Sequence, residues 1–170
     1  FKQKTTSTTI FVVDASGSSA LHRLAEAKGA VEIILSECYV RRDHVALIAF
    51  RGTTAETLLP PTRSLTRAHR RLAALPGGGG TPLANAIESA VQLAATQKQK
   101  GISPTVVLLT DGKANIARDG KPGRKQALAD ARDAAAGLRA LGINALLIDT
   151  SPRRNAEAEE LATAMAARYM

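Results

Sequence analysis

Thr9-Ile-Phe-Val-Val-Asp-Ala-Ser-Gly-Ser18 starts as an unbroken β-branched and aromatic run and then changes abruptly to small, oxygen-bearing side chains. A run that is apolar at consecutive rather than alternate positions reads as a strand buried on both faces, the habit of parallel sheets. The strand is expected over Thr8 to Val13. His44 to Phe50, Thr105 to Thr110 and Asn144 to Asp149 repeat the pattern. Between them the apolar residues recur at helical spacing: Leu21, Leu24, Val31, Leu35 and Cys38; then Leu83, Ile87, Val91 and Ala94; then Leu128, Ala131, Ala135, Leu138 and Leu141.

Parallel neighbours need crossovers, and buried strands need helices on both faces. The chain therefore predicts an α/β fold: a three-layer α/β/α, doubly wound, mostly parallel sheet of Rossmann-like plan. Ala55 to Leu59 follows the second strand too closely for a crossover and should pair antiparallel as an edge strand, ended by Pro60 and Pro61. A short helix from Leu65 to Leu75 and a last one from Ala156 to Arg168 complete the expectation. Gly77 to Gly80 is the one low-complexity stretch.

The length of 170 residues suits one domain, and a 45% apolar content can fill its core. Beginning at Phe1 and stopping at Met170 after a helical pattern, residues 1–170 read as one domain of a longer protein. No apolar run approaches the roughly eighteen residues of a membrane span, and the first residues lack the apolar core of a signal peptide. Cys38 is the only cysteine, so no internal disulfide can form; its register with Val31 and Leu35 marks it as a buried packing residue in a protein of a reducing compartment.

Twenty-three Lys and Arg against fifteen Asp and Glu give a net charge of +8. Such a balance invites nucleic acid or an acidic protein partner. Aromatic residues at 3% offer little for base stacking, and no nucleic-acid-binding signature is visible, which favours the protein.

In an open α/β sheet ligands bind outside the carboxyl ends of the strands, where the winding reverses. Asp14, Ser16 and Ser18 stand there after the first strand, with Gly17 free to let the loop curl, and Asp111-Gly112 follows the strand ending at Thr110. Thr81 leaves the glycine run. Carboxylates and hydroxyls suit Mg²⁺, a hard cation that takes octahedral oxygen ligands and keeps several waters. Each piece has a plainer reading beside this one. Ser18 or Ser19 can cap the following helix, Thr81-Pro82 has the form of an N-cap with proline at N1, and Asp111-Gly112 is a common turn pair. What favours a site is coincidence, since Asp14 and Asp111 should converge at one edge, and two close carboxylates repel unless a cation separates them.

Asp14-x-Ser16-x-Ser18, then Thr81, then Asp111-Gly112 resembles the metal-ion-dependent adhesion site of von Willebrand factor A and integrin I domains, and the resemblance extends over essentially the whole chain. It implies one divalent ion held by Asp14, Ser16, Ser18, Thr81 and Asp111, the last directly or through water, with a partner's carboxylate completing the coordination. More narrowly, residues 9–18, Leu75-Pro-Gly-Gly-Gly-Gly-Thr-Pro-Leu83 and Leu109-Thr-Asp-Gly-Lys-Ala-Asn115 resemble the C-terminal domain of magnesium chelatase D subunits. That resemblance implies a non-catalytic domain that binds the AAA+ ATPase subunit of an ATP-dependent ligase inserting Mg²⁺ into protoporphyrin IX, in a bacterial cytoplasm or plastid stroma. It leaves the porphyrin-binding subunit open as a further partner. An adhesion module of another von Willebrand factor A protein and a metal-free nucleic-acid-binding domain stand as alternatives.

Three enzymatic readings fail on chemistry. An aspartyl phosphatase would want a second carboxylate two residues after Asp14, where Ser16 stands. Gly77 to Gly80 lacks the Gly-Lys-Ser/Thr of a phosphate loop, and Pro82 removes a backbone donor. A serine hydrolase needs a histidine, and His22, His44 and His69 fall away from the expected site. The basic residues cluster at Arg63, Arg67, Arg70 and Arg71, which read as a solvated face, and at Lys113, Arg118, Lys121, Arg124 and Lys125. The second cluster follows Asp111 and is expected to draw an acidic partner to the metal.

Overall fold

The computed structural model describes residues 6–16 and 20–170, and within the first helix the side chains from Gly29 onward. Its elements run β1 (Ser7–Asp14), α1 (Ala20–Arg41), β2 (His44–Arg51), β3 (Thr54–Thr62), α2 (Leu65–Ala73), α3 (Leu83–Gln99), β4 (Ser103–Thr110), α4 (Arg124–Ala140), β5 (Asn144–Asp149), α5 (Ala156–Met165) and β6 (Arg168–Tyr169). The strands form one sheet in the order β3-β2-β1-β4-β5-β6, parallel except for β3. This is the doubly wound, mostly parallel α/β/α plan that the apolar runs predict.

Alternate residues of each central strand feed two separate cores. Ile10, Val12, Ile48, Val106 and Leu108 pack toward α3, α4 and α5, while Phe11, Val13, Leu47, Val107 and Leu109 pack toward α1 and α2. Each fully buried Leu, Ile or Phe contributes about 1.5–3 kcal/mol, and β1 buries such side chains on both faces, so its register admits no slip. Cys38 is buried in the second core with its thiol against the Thr9 hydroxyl at 3.3 Å. Burial pushes that thiol up from its ordinary pKa, which keeps it protonated and unreactive.

Three expectations need correction. Pro60 and Pro61 do not end β3, which runs to Thr62; as an edge strand it can do without two donors, and the register shifts around Leu47 absorb the mismatch. The short helix stops at Ala73. The last helix stops at Met165 because Ala166 turns left-handed (φ 54°) and caps it; Arg168 and Tyr169 then join β5 as a parallel strand.

β1 and β4 are neighbours, paired from Ser7↔Ser103 to Val13↔Leu109. From β1 the chain winds outward through β2, and from β4 it winds the other way through β5. The crevice between the carboxyl ends of β1 and β4 is thus the switch point where this architecture binds ligands. His44 begins β2 and so lies at the opposite end of the sheet; His69 is exposed on α2, and the side chain of His22 lies outside the described residues.

Candidate metal centre

The crevice brings together Asp14, Ser16, Thr81 and Asp111, which the sequence scatters over nearly a hundred positions. Each is no more than 9% exposed. Asp14 ends β1 and folds its carboxylate back over the next turn: Oδ1 accepts from the Ser16 amide at 2.9 Å and also from the Ser16 hydroxyl. Thr81 Oγ1 donates to Ser16 Oγ at 2.7 Å. Across the crevice Thr110 Oγ1 donates to Asp14 Oδ2 at 3.2 Å and accepts from the Gly112 amide at 3.2 Å. Gly17 and Ser18 lie outside the described residues.

Thr81 is not the cap of α3. That helix starts at Leu83 with Pro82 in the cap position and no side-chain cap bond; the Thr81 hydroxyl goes to Ser16 instead. The loop after β4 grips Thr81 from both sides, with Asn115 Oδ1 accepting from its amide at 2.7 Å and the Asn115 and Ile116 amides donating to its carbonyl at 3.3 and 3.4 Å. The glycine run comes in close below: the Gly78 amide donates to Ala15 at 3.0 Å, and a Cβ on Gly80 would stand 2.7 Å from the Gly52 carbonyl oxygen.

Asp111 makes the expected turn, its Oδ1 accepting from the Lys113 amide at 3.0 Å. Gly112 is required there. Its φ is +80°, and a Cβ would meet the backbone of α5 at 2.5 Å. Asn155 joins the same two parts, capping α5 through Glu157 at 2.9 Å and donating its amide to the Asp111 carbonyl at 2.6 Å.

Ser16, Thr81 and Asp111 line one cleft of ≈ 350 Å³ with Lys113, Asn115 and Arg124. The donors are chemically those of a hard cation, two carboxylates and hydroxyls; no group of three His, Cys, Asp or Glu side chains gathers among the described residues. Spacing fits as well. Oxygens at adjacent corners of a Mg²⁺ octahedron stand about 2.9 Å apart when metal–oxygen distances are 2.0–2.1 Å, and the Thr81 and Ser16 hydroxyls are 2.7 Å apart.

The basic residues after Asp111 divide. Lys113 and Arg124 face the cleft, Arg124 with Glu157 at 3.9 Å, while Lys121 and Lys125 are exposed nearby in sequence. Arg118 is committed elsewhere: its guanidinium is paired with Asp133 at 2.8 Å and with Glu88, which raise its pKa, and its amide donates to Asp130, whose pKa it lowers. Thr110, Asn115 and Asn155 were not singled out from the sequence. Thr110 and Asn115 lie within the stretch quoted around Asp111, but nothing in that stretch marks either as a support of the site, and Asn155 lies far from it in sequence.

A family model described as von Willebrand factor type A domain matches residues 9–113. The magnesium-chelatase 60 kDa subunit of Cereibacter sphaeroides is 53% identical over 170 residues, covering 100% of this chain and 30% of that protein. The corresponding subunit of Rhodobacter capsulatus is 52% identical over 161 residues, 95% of this chain and 29% of that protein. The magnesium-chelatase 67 kDa subunit of Chlorobaculum tepidum is 40% identical over 179 residues, covering 99% and 29%. The chain thus spans less than a third of these relatives. Among solved structures, the SpRpn10 VWA domain superposes with a TM-score of 0.70 at 13% identity, over 97% of this chain and 87% of that one, a likeness of fold alone.

Proposed function

Because the chain belongs to the von Willebrand factor type A domain family, we propose that it is a Mg²⁺-dependent protein-interaction domain of a magnesium chelatase subunit, binding the AAA+ ATPase subunit through an acidic residue of that partner. The observation that carries this reading is the continuous chain Thr81–Ser16–Asp14–Thr110, which links hydroxyls and a carboxylate from three separate segments across the switch point. Asp14, Ser16, Thr81 and Asp111 would hold the ion, with Ser18 added on the strength of the sequence motif. When bound, the ion supplies a Lewis-acidic contact for an incoming carboxylate. The chelatase assignment is supported by the high identity over the whole chain.

The domain's own residues would do the rest. Asn115 and Gly80 set Thr81 in place, and Asn155 and Gly112 set Asp111 against α5. Lys113 and Arg124 give the cleft wall a positive field that steers an acidic surface inward. Lys121 and Lys125 would extend that field, and Arg118 would act through the loop it pins to α3 and α4. No residue here is assigned to bond-making chemistry, and the domain is read as non-catalytic within an ATP-dependent ligase.

The test is a double-mutant cycle pairing Asp111→Ala with Glu→Gln changes in the ATPase subunit, scored by affinity with Mg²⁺ and with EDTA. Non-additive losses and loss of binding in EDTA are expected. Strict additivity, or full binding in EDTA, would refute metal-mediated contact. The net charge of +8 favours one rival, nucleic-acid binding; that would ignore EDTA and fall steeply with salt.

A further inference from the structure

Helix α2 carries Arg67, Arg70 and Arg71, and Arg63 stands just before its cap Ser64, whose hydroxyl accepts from the Arg67 amide at 3.3 Å. All four arginines are exposed, and Ala68 is the helix's buried residue. Several other arginines find carboxylates, Arg41 with Asp43, Arg118 with Glu88 and Asp133, Arg132 with Glu160 and Arg154 with Glu159, while those unpaired among the described residues, such as Arg51, Arg139 and Arg168, stand apart from one another in sequence instead of clustering. Among the described residues, no carboxylate lies within 4.0 Å of any of the four at α2.

This arrangement works against the helix that bears it. Arg67 and Arg71 are four residues apart and Arg67 and Arg70 three, so like charges stack on successive turns. The first turn has no acidic residue, although that is where a carboxylate would favour the helix dipole. Arg70 and Arg71 suit the last turn; Arg63 and Arg67 do not suit the first. A nine-residue helix has little intrinsic stability to set against such repulsion, so folding gives no reason for this charge pattern.

We infer that the exposed face of α2 is a docking surface for an acidic polypeptide segment, whose Asp and Glu carboxylates pair with the planar guanidiniums. Charge complementarity chooses the class of partner, and the surroundings choose polypeptide over nucleic acid. Residues 51–75, which hold β3 and α2, contain no Phe, Tyr or Trp; His69 is the one ring there on which a base could stack, and a single ring makes no platform for successive bases. The nine residues of α2 extend about 13 Å, the reach of roughly four residues of extended peptide, which matches a short acidic run. The surface stands beside β3, at the opposite side of β1 from β4, and owes nothing to Asp14 or Asp111.

The experiment uses this chain with a fluorescein-labelled octaglutamate peptide, read by anisotropy at about 0.15 M salt with EDTA present so that no metal contributes. Arg67→Gln/Arg71→Gln is compared with Arg139→Gln/Arg168→Gln, which removes the same charge from exposed positions elsewhere. The α2 pair should lose at least tenfold in affinity and the control pair less than twofold, with the melting temperature of the α2 variant unchanged or raised by relief of repulsion. Equal losses in the two variants, or none at α2, would overturn the proposal. So would tighter binding of oligothymidylate than of octaglutamate through the same arginines, which would make the surface a nucleic-acid site. Because EDTA is present throughout, failure here leaves the metal-dependent reading untouched.

Discussion

Two turns in this molecule have the same local chemistry and different surroundings. Asp14-Ala-Ser16 follows β1 and Asp149-Thr-Ser151 follows β5, and in both the aspartate Oδ1 accepts from the serine amide at 2.9 Å and from the serine hydroxyl. Around Asp14 the neighbouring strand adds Thr110 and Asp111, and the glycine run adds Thr81. Around Asp149 the second oxygen accepts from the Tyr169 hydroxyl at 2.5 Å, and the single proton of the Ser151 hydroxyl is shared between Asp149 and the Arg153 carbonyl at 2.8 Å. One turn sits at the switch point, where side chains from three separate segments converge on it and bury it; the other is bounded by β6 and stays half-buried. A candidate cation site is therefore made by position in the sheet, not by the Asp-x-Ser pattern.

The largest expected effect breaks the two turns apart. Asp14→Ala should abolish Mg²⁺ binding in calorimetry, a loss of more than the 10–100-fold typical of outer-shell residues, whereas Asp149→Ala should stay within about twofold of the parent. Asp14→Ala should remain folded, because stranding the buried Thr110 hydroxyl costs about 1–3 kcal/mol against a usual reserve of 5–15 kcal/mol. Parent-like binding by Asp14→Ala, or equal loss in both variants, would remove Asp14 from the site.

A smaller effect is expected at the loop that the first turn has and the second lacks. Gly80→Val would drive a Cβ to 2.7 Å from the Gly52 carbonyl oxygen and 2.8 Å from Ile116 Cγ1. The segment must shift, and Thr81 with it, so Mg²⁺ affinity should fall by roughly tenfold, the scale of a displaced supporting shell. Thermal melting on the same sample separates this from unfolding. Unchanged affinity would show that Thr81 is dispensable.

Much of the contrast between the turns was legible in the sequence, because the central strands announce themselves: Ile10 to Val13 and Val106 to Leu109 are buried on both faces, which few other arrangements allow. Asp14 and Asp111 were readable as strand-end residues for the same reason. What the sequence left open was Thr81, whose hydroxyl could cap α3 or join the cluster, a choice that only its contact with Ser16 decides. Asn115 and Asn155 gave no signal as ligand-site supports, since they bond main-chain atoms far along the chain. Arg118 looked like part of one basic surface because its partners Glu88 and Asp133 come from separate helices. β6 was hidden by continuity: Leu161, Ala162 and Met165 keep helical spacing, and nothing local in Arg168 or Tyr169 states that β5 has a free edge.

The smallest expected effect tests what closes the second turn. In the fold Tyr169 donates its hydroxyl to Asp149, and that bond to a carboxylate raises the phenol pKa, with burial adding to the shift and Arg154 over the ring opposing it. A raised pKa favours the neutral phenol, so this stabilisation is complete below the ordinary value of about 10 and is lost as pH rises through the folded value. Tyr169→Phe keeps the ring against the core and deletes the donor to Asp149, along with the oxygen that the Asn155 amide approaches. At neutral pH it should cost about 1 kcal/mol, below the roughly 1.5–3 kcal/mol of a buried bond to a charged acceptor because the pair is only half-buried, or roughly 2–4 °C in Tm. The gap between parent and variant should then narrow as the pH passes above about 10, since only the parent ionises there. Hydrogen exchange gives a second readout: the Met170 and Asp149 amides, which bond the Leu147 and Met170 carbonyls at 2.9 Å, should exchange faster in the variant while β1 amides do not change. A constant gap across this pH range, or equal protection in both proteins, would mean that β6 is held by its backbone ladder alone and that the Tyr169 hydroxyl closes nothing.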